Sequence, residues 1–175
     1  RGGTSSIGMT TAVLAKQRGL RVLSTTRNQA KVDALEAVGV DDFILDTGGS
    51  LVEAVHRIVP NGVDRVLDLI GTPTLSDSLR CAAPGGIVCM TGMLSGVWIW
   101  ESFDPFVDLP NGVCLTSYSG GSEDVTSTEL QAYVEAVANG DAPANLDRTF
   151  TLGELQEAHR YMEANKARGK VVVVV

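Results

Sequence analysis

Gly3, Ser5 and Gly8 stand at the spacing G-x-S-x-x-G, directly ahead of an apolar run that begins at Met9. Each position suits a phosphate. Gly3 permits a tight turn, a small second residue lets the backbone approach a pyrophosphate, and Gly8 lets a helix pack closely on a sheet. The turn formed by Gly3, Thr4, Ser5, Ser6, Ile7 and Gly8 then offers amide N–H groups at the positive end of that helix. The Ser5 hydroxyl can also donate to a phosphate oxygen. The alternative is a Gly- and Ser-rich turn that binds nothing. About 20 residues further on, a dinucleotide-binding chain that takes NAD places an Asp or Glu for the ribose hydroxyls. Here the stretch reads STTRNQAK, with Thr25, Thr26, Arg27 and Lys31 and no acid. Hydroxyls, a guanidinium fork and an ammonium suit a dianionic 2′-phosphate. The expected cofactor is therefore NADP(H), unless Arg27 and Lys31 are solvated surface charges.

The elements that must hold these groups alternate along the chain. RVLSTT reads as a short buried strand. Asn28 can cap a helix carrying Val32, Leu35 and Val38, and DFILD is a second strand. SLVEAVHRIV is a helix with Leu51, Val52, Val55, Ile58 and Val59 inward. VDRVLDLIG is a strand, TPTLSDSLRCA a helix with Thr72 as cap and Pro73 at its first position, and GGIVCMTG a strand. Strict alternation with short connections predicts an α/β fold with a doubly wound parallel sheet and helices on both faces. Residues 93–112 have no clean period and read as a long loop with a short helical turn. VCLTSYS is a further strand. Capping boxes at Thr126–Glu129 and Thr151–Glu154 each open a helix, the second with Leu155, Ala158 and Met162 inward, and GKVVVVV is a closing strand.

Composition limits the remaining options. At 175 residues the chain is read as one domain, 1–175, and 44% hydrophobic residues can build a core. A net charge of −7 without a basic run argues against nucleic acid. No apolar stretch approaches the roughly 20 residues of a membrane span, and the start does not read as a signal peptide. Cys81, Cys89 and Cys114 are odd in number and widely spaced, so a reduced, cytoplasmic setting is expected. His56 and His159 have no ligand spacing, and no nucleophile–base arrangement is visible. No catalytic and no metal-binding residue is assigned.

The segments GGTSSIGMTTAVLAKQRGLRVLSTTRNQAKVDALEAVGVDDFILD, GVDRVLDLIG, CAAPGGIVCMTGML and FTLGELQEAHRYMEANKARGKVVVVV resemble the cofactor-binding half of a medium-chain dehydrogenase/reductase, closest to the quinone oxidoreductase-like and zinc-type alcohol dehydrogenase group. The resemblance implies a Rossmann domain and hydride transfer between NADP(H) and a carbonyl, enone or quinone. It matches Gly3 to Gly8 with the pyrophosphate site, Thr26 with the Asp of NAD-dependent members, and Lys31 with a lysine that meets the 2′-phosphate. It places Ile70, Gly71, Thr91 and Gly92 at the strand ends lining ribose and nicotinamide, with Ser117–Ser119 beside the nicotinamide amide. Asp46 stands where some NADPH-dependent members carry Tyr, and it is left out of the site.

The resemblance also implies an N-terminal catalytic domain to which residues 145–175 return. The chain alone is then expected to bind cofactor without turnover. An enoyl-reductase module of a larger synthase and a non-catalytic dinucleotide sensor are the competing functions. The strand at 112–118 is expected at a sheet edge that pairs with its twin in a homodimer. The strand that leads into the Gly-rich turn is not among residues 1–175, and residues 171–175, of this chain or a neighbouring one, are expected to fill its place between 21–25 and 63–69, unless that strand lies upstream and the valines are free or paired at an edge.

Overall fold

The computed structural model describes residues 1–175. In chain order the elements are α1 (Ser6–Gln17), β1 (Leu23–Thr26), a 3-10 turn (Gln29–Lys31), α2 (Val32–Ala37), β2 (Asp42–Leu45), α3 (Val52–Ile58), β3 (Val63–Asp68), α4 (Thr72–Arg80) and β4 (Ala82–Met90). They continue with α5 (Pro105–Asp108), β5 (Cys114–Ser117), α6 (Ser127–Asn139), β6 (Leu146–Thr151), α7 (Leu155–Glu163) and β7 (Lys170–Val174). Every strand pair is parallel, as the alternation requires. The chain divides into two compact units.

The first unit comprises Arg1–Gly2, Leu23–Gln29 and Asp42–Gly120. In it β1 pairs with β2, and β3, β4 and β5 form a second ladder in that order. Arg1 lies beside β3 as a parallel neighbour would: its N–H reaches the Leu67 carbonyl at 2.6 Å, and its carbonyl accepts from Leu69 N–H at 3.2 Å. The Gly2 amide donates to the Thr25 hydroxyl of β1 at 3.3 Å. Two small cores support these strands. Ile44, Leu51, Val55 and Cys81 seat α3 on β2, and Leu75, Leu79, Ala82 and Val88 seat α4 on β4. Burial pushes the Cys81 thiol up to about 11, so it is an inert packing group. All four residues of β5 are exposed, and the strand bonds on one side only, to β4.

The second unit comprises Gly3–Val22, Ala30–Asp41 and Gly121–Val175. Met9, Ala12 and Val13 of α1 pack with Val38 and Ala142, and Tyr133, Ala136 and Val137 of α6 close over them. The strands β6 and β7 form their own two-stranded sheet, joined through α7. Phe150 is 2% exposed there, and Arg148 stacks on its ring at 4.6 Å.

Several expectations are corrected. Residues 171–175 do not fill a place beside 21–25 or 63–69; β7 pairs with β6, Arg148 opposite Val171 and Thr151 opposite Val174. A strand–helix–strand crossover of a dozen or more residues closes locally, and the segment between β6 and β7 supplies one. Arg1 bonds the carboxyl end of β3 alone, at Leu67 and Leu69. The β6 strand itself was not expected from LDRTFT, because only Phe150 of its residues is buried. Thr72 is inside α4, whose cap is Gly71 at φ 105°, a conformation that glycine adopts without strain. The N-cap position of α2 is Lys31 rather than Asn28, because a 3-10 turn (Gln29–Lys31) comes between. In α7, Ala158 is buried, but Leu155 and Met162 face outward.

Candidate functional site

In the second unit, the Gly-rich turn becomes the start of α1. Ser5 has extended backbone, φ −76° and ψ 160°, and caps the helix by accepting the Gly8 N–H at 3.1 Å. Its carbonyl accepts from Met9 N–H at 2.9 Å. The cap uses a lone pair of the Ser5 oxygen and leaves its O–H proton available to a phosphate. No acidic residue lies in the first turn of α1, so the positive helix end is uncompensated. Gly3 is buried, Thr4, Ser5, Ser6 and Gly8 are half-buried, and Ile7 is exposed. Lys31 is 4% exposed, and its ammonium donates to the Asn165 side-chain oxygen at 2.9 Å. This partner is not legible in the sequence, being 134 positions away.

In the first unit, β1 ends in Thr26, buried at 3%, where a ribose-binding acid would stand. The Thr26 hydroxyl accepts from Asn28 N–H at 3.2 Å and fixes the bend that carries the exposed Arg27. Asp46, at the end of β2, is covered by charge of the opposite sign. One carboxylate oxygen accepts from the Arg1 guanidinium at 3.1 and 3.3 Å, and the other accepts from Gly48 N–H at 3.0 Å. The same guanidinium binds Asp77 at 2.8 Å, and its side chain is only 6% exposed. The acid at Asp46 is therefore neutralised by a buried partner that the sequence reading did not single out.

Ile70 and Gly71, after β3, and Thr91 and Gly92, after β4, are brought together by the same unit. A Cβ on Gly92 would fall 2.6 Å from the Leu69 carbonyl oxygen, and one on Gly71 would fall 3.3 Å from the Gly92 carbonyl oxygen. Thr91 N–H donates to the Asp68 carbonyl at 3.0 Å, and the Thr91 hydroxyl donates to the Tyr118 carbonyl at 2.9 Å. The result is a close-packed floor of backbone at the carboxyl ends of parallel strands, where open α/β sheets bind their ligands. Within the second unit the capped helix end suits a phosphate, and within the first the glycine-lined backbone suits a flat ring.

No three His, Cys, Asp or Glu side chains are gathered where they could hold a metal ion. His56 lies in α3 and His159 in α7. No helix is long and apolar enough to cross a membrane.

Residues 38–173 match the family described as zinc-binding dehydrogenase. The chain is 27% identical over 174 residues to a 2-haloacrylate reductase of Burkholderia sp, covering 91% of this chain and 50% of that protein. It is 31% identical over 115 residues to a probable quinone oxidoreductase of Leishmania amazonensis, covering 66% and 33% respectively. Among solved structures, a mycobacterial protein complexed with NADPH superposes with a TM-score of 0.83 at 23% identity, over 99% of this chain and 55% of that one. That likeness shows the fold, a Rossmann-type α/β domain. The chain spans about half the length of the 2-haloacrylate reductase that it matches.

Proposed function

Because the chain belongs to the zinc-binding dehydrogenase family of the medium-chain dehydrogenase/reductase superfamily, we propose that it is the cofactor-binding half of an NADP(H)-dependent oxidoreductase acting on a carbonyl, enone or quinone. One observation carries the cofactor choice: β1 ends in Thr26 and the exposed Arg27 rather than in an acid, and Asp46 is masked by Arg1. The names of the relatives support the reaction class, since they are reductases and oxidoreductases.

The nicotinamide ring supplies the hydride when the cofactor is bound. This chain's part is to bind and orient. Gly3 to Gly8 and the start of α1 hold the pyrophosphate. Thr26 and Arg27 take the 2′-phosphate, and Ile70, Gly71, Thr91 and Gly92 line the ribose and nicotinamide. No metal step is assigned, because the chain gathers no ligand set. Substrate-polarising groups belong to the other half of the parent protein, so the chain alone turns over no quinone, enone or alcohol.

A homodimer through 112–118 belongs to the same reading, supported by the exposed, one-sided β5 edge. So does a cytoplasmic setting, supported by three cysteines that form no disulfide. Gly8→Val tests the site directly: a branched side chain in the first turn of α1 abolishes NADPH binding if the turn cradles the pyrophosphate. Unchanged NADPH affinity in a folded Gly8→Val protein would exclude it.

A further inference from the structure

Asp68 is fully buried, at 0% exposure, at the last position of β3. Nothing in the cofactor assignment above uses it. One of its oxygens accepts from Ile70 N–H at 2.8 Å and from Gly71 N–H at 2.9 Å. The other accepts from the Ser78 hydroxyl at 2.6 Å and from the Thr74 hydroxyl at 2.9 Å. The carboxylate thus ties two backbone amides of the β3–α4 turn to two hydroxyls on α4. A buried acceptor set of this kind is rigid, since each donor lost leaves a desolvated oxygen without a partner.

The tie has a consequence beyond α4. Gly71 sits at φ 105° and ψ −157°, a conformation open to glycine alone, and its neighbours are Met93 and the Gly92 carbonyl. Leu94 N–H and Ser95 N–H donate to the Leu69 and Ile70 carbonyls, both at 3.0 Å. The position of the turn therefore sets the path of the chain after β4. Asp68 also bonds that path through its own carbonyl, which accepts from Thr91 N–H. One residue holds both strand exits: its side chain holds the Ile70–Gly71 turn, and its backbone holds Thr91.

We infer that Asp68 is a positioning residue for the nicotinamide end of the cofactor, presetting the Ile70–Gly71 turn against the Thr91–Gly92 exit through its paired amide and hydroxyl bonds. This rests on the NADP(H) assignment above.

The experiment compares two ligands on four proteins. NADPH and adenosine 2′,5′-bisphosphate, which lacks the nicotinamide half, are titrated against the parent chain, Asp68→Ala, Asp68→Asn and Thr74→Val. Asp68→Ala weakens NADPH by about tenfold or more, the size expected when a buried charged acceptor is lost. It leaves the bisphosphate within about twofold, because that ligand touches neither strand exit. Asp68→Asn restores NADPH to within about threefold: its amide oxygen still accepts from Ile70 and Gly71, and the two hydroxyls can turn to accept from its NH₂. Amide exchange at Gly71, slow in the parent, quickens in Asp68→Ala and Thr74→Val with no ligand present. If Asp68→Ala fails to fold, Thr74→Val carries the comparison, with NADPH weakened and the bisphosphate spared. Equal loss of both ligands in the folded variants, or unchanged NADPH affinity with unchanged Gly71 exchange, overturns the inference. A parent chain that binds neither ligand overturns the cofactor assignment itself, a result seen before any variant is made.

Discussion

Gly92→Ala tests whether the floor at the carboxyl ends of β3 and β4 is as tight as it looks. The new Cβ would meet the Leu69 carbonyl oxygen at 2.6 Å, its Cα at 2.8 Å and its carbonyl carbon at 3.0 Å. All three are backbone atoms of a strand exit, so no side chain can swing away. Reaching ordinary contact at 3.4 Å requires a shift of about 0.8 Å. That shift strains the bond from Leu94 N–H to the Leu69 carbonyl and the bond from Thr91 N–H to the Asp68 carbonyl, both now 3.0 Å. Two hydrogen bonds lost at about 1 kcal/mol each, with about 1–2 kcal/mol of overpacking, give a destabilisation of about 3–4 kcal/mol. Urea unfolding followed by circular dichroism reads this as a lower midpoint at unchanged slope. Gly49→Ala is the control, since its Cβ would meet nothing within 4 Å and its backbone has no positive φ. Gly92→Ala unfolding within about 0.5 kcal/mol of the parent, the usual range for a neutral surface change, would refute the tight packing of the two exits.

Arg27→Ala weakens NADPH about tenfold and spares NADH, because one charged hydrogen bond to a phosphate contributes about 1.5–3 kcal/mol, at the lower end for an exposed side chain; equilibrium titration of both cofactors checks it. Phe150→Ala costs about 3–5 kcal/mol by thermal or urea unfolding, since the ring is 2% exposed and lies under Arg148 and beside Tyr161. Asp41, Asp108, Glu129 and Glu154 are held below their ordinary values of 3.8 and 4.5, chiefly by hydrogen bonds from Lys16, Asp104 N–H, Thr126 and Thr151 respectively. A depressed carboxyl stabilises above its unfolded value, so stability declines as pH falls below about 4. Thr126→Val and Thr151→Val flatten that acid limb in a pH series of unfolding midpoints. Cys81, raised from 9.0 to about 11 mainly by burial, acts in the opposite window, and the stability that it contributes fades as pH rises from 9.0 toward 11.

What was legible in the sequence was local. The Ser5 turn, the Thr126–Glu129 and Thr151–Glu154 boxes and the apolar face of Val32, Leu35 and Val38 all depend on residues a few positions apart, and all are present. The positions of β1 to β4 follow from the alternation, and β5 from the apolar, β-prone stretch VCLTSYS. What failed depended on distant partners. LDRTFT has one buried residue, so it becomes a strand only through its pairing with β7. That same pairing diverts Val171–Val174 from the place expected for them. Lys31 reads as a cation free for a phosphate, and nothing local reveals that Asn165, 134 positions away, accepts its ammonium. Asp46 reads as a liability until Arg1, 45 positions earlier, is seen against it. Thr72 lost its capping role because Gly71, with φ 105°, already ends the turn. Asp68 could have been noticed as the one acid inside the otherwise apolar run VLDLI, but its donors come from the turn and the following helix.

The central claim is that this chain binds NADP(H) through a phosphate-binding helix start, with no acid at the ribose position. A direct titration of the chain with NADPH and with NADH, read by the fluorescence of the reduced nicotinamide in one buffer at one salt concentration, tests it. NADPH binding about tenfold or more tighter than NADH is expected from a single added phosphate contact to an exposed cation. NADH binding as tightly as NADPH, or binding of neither, would contradict it.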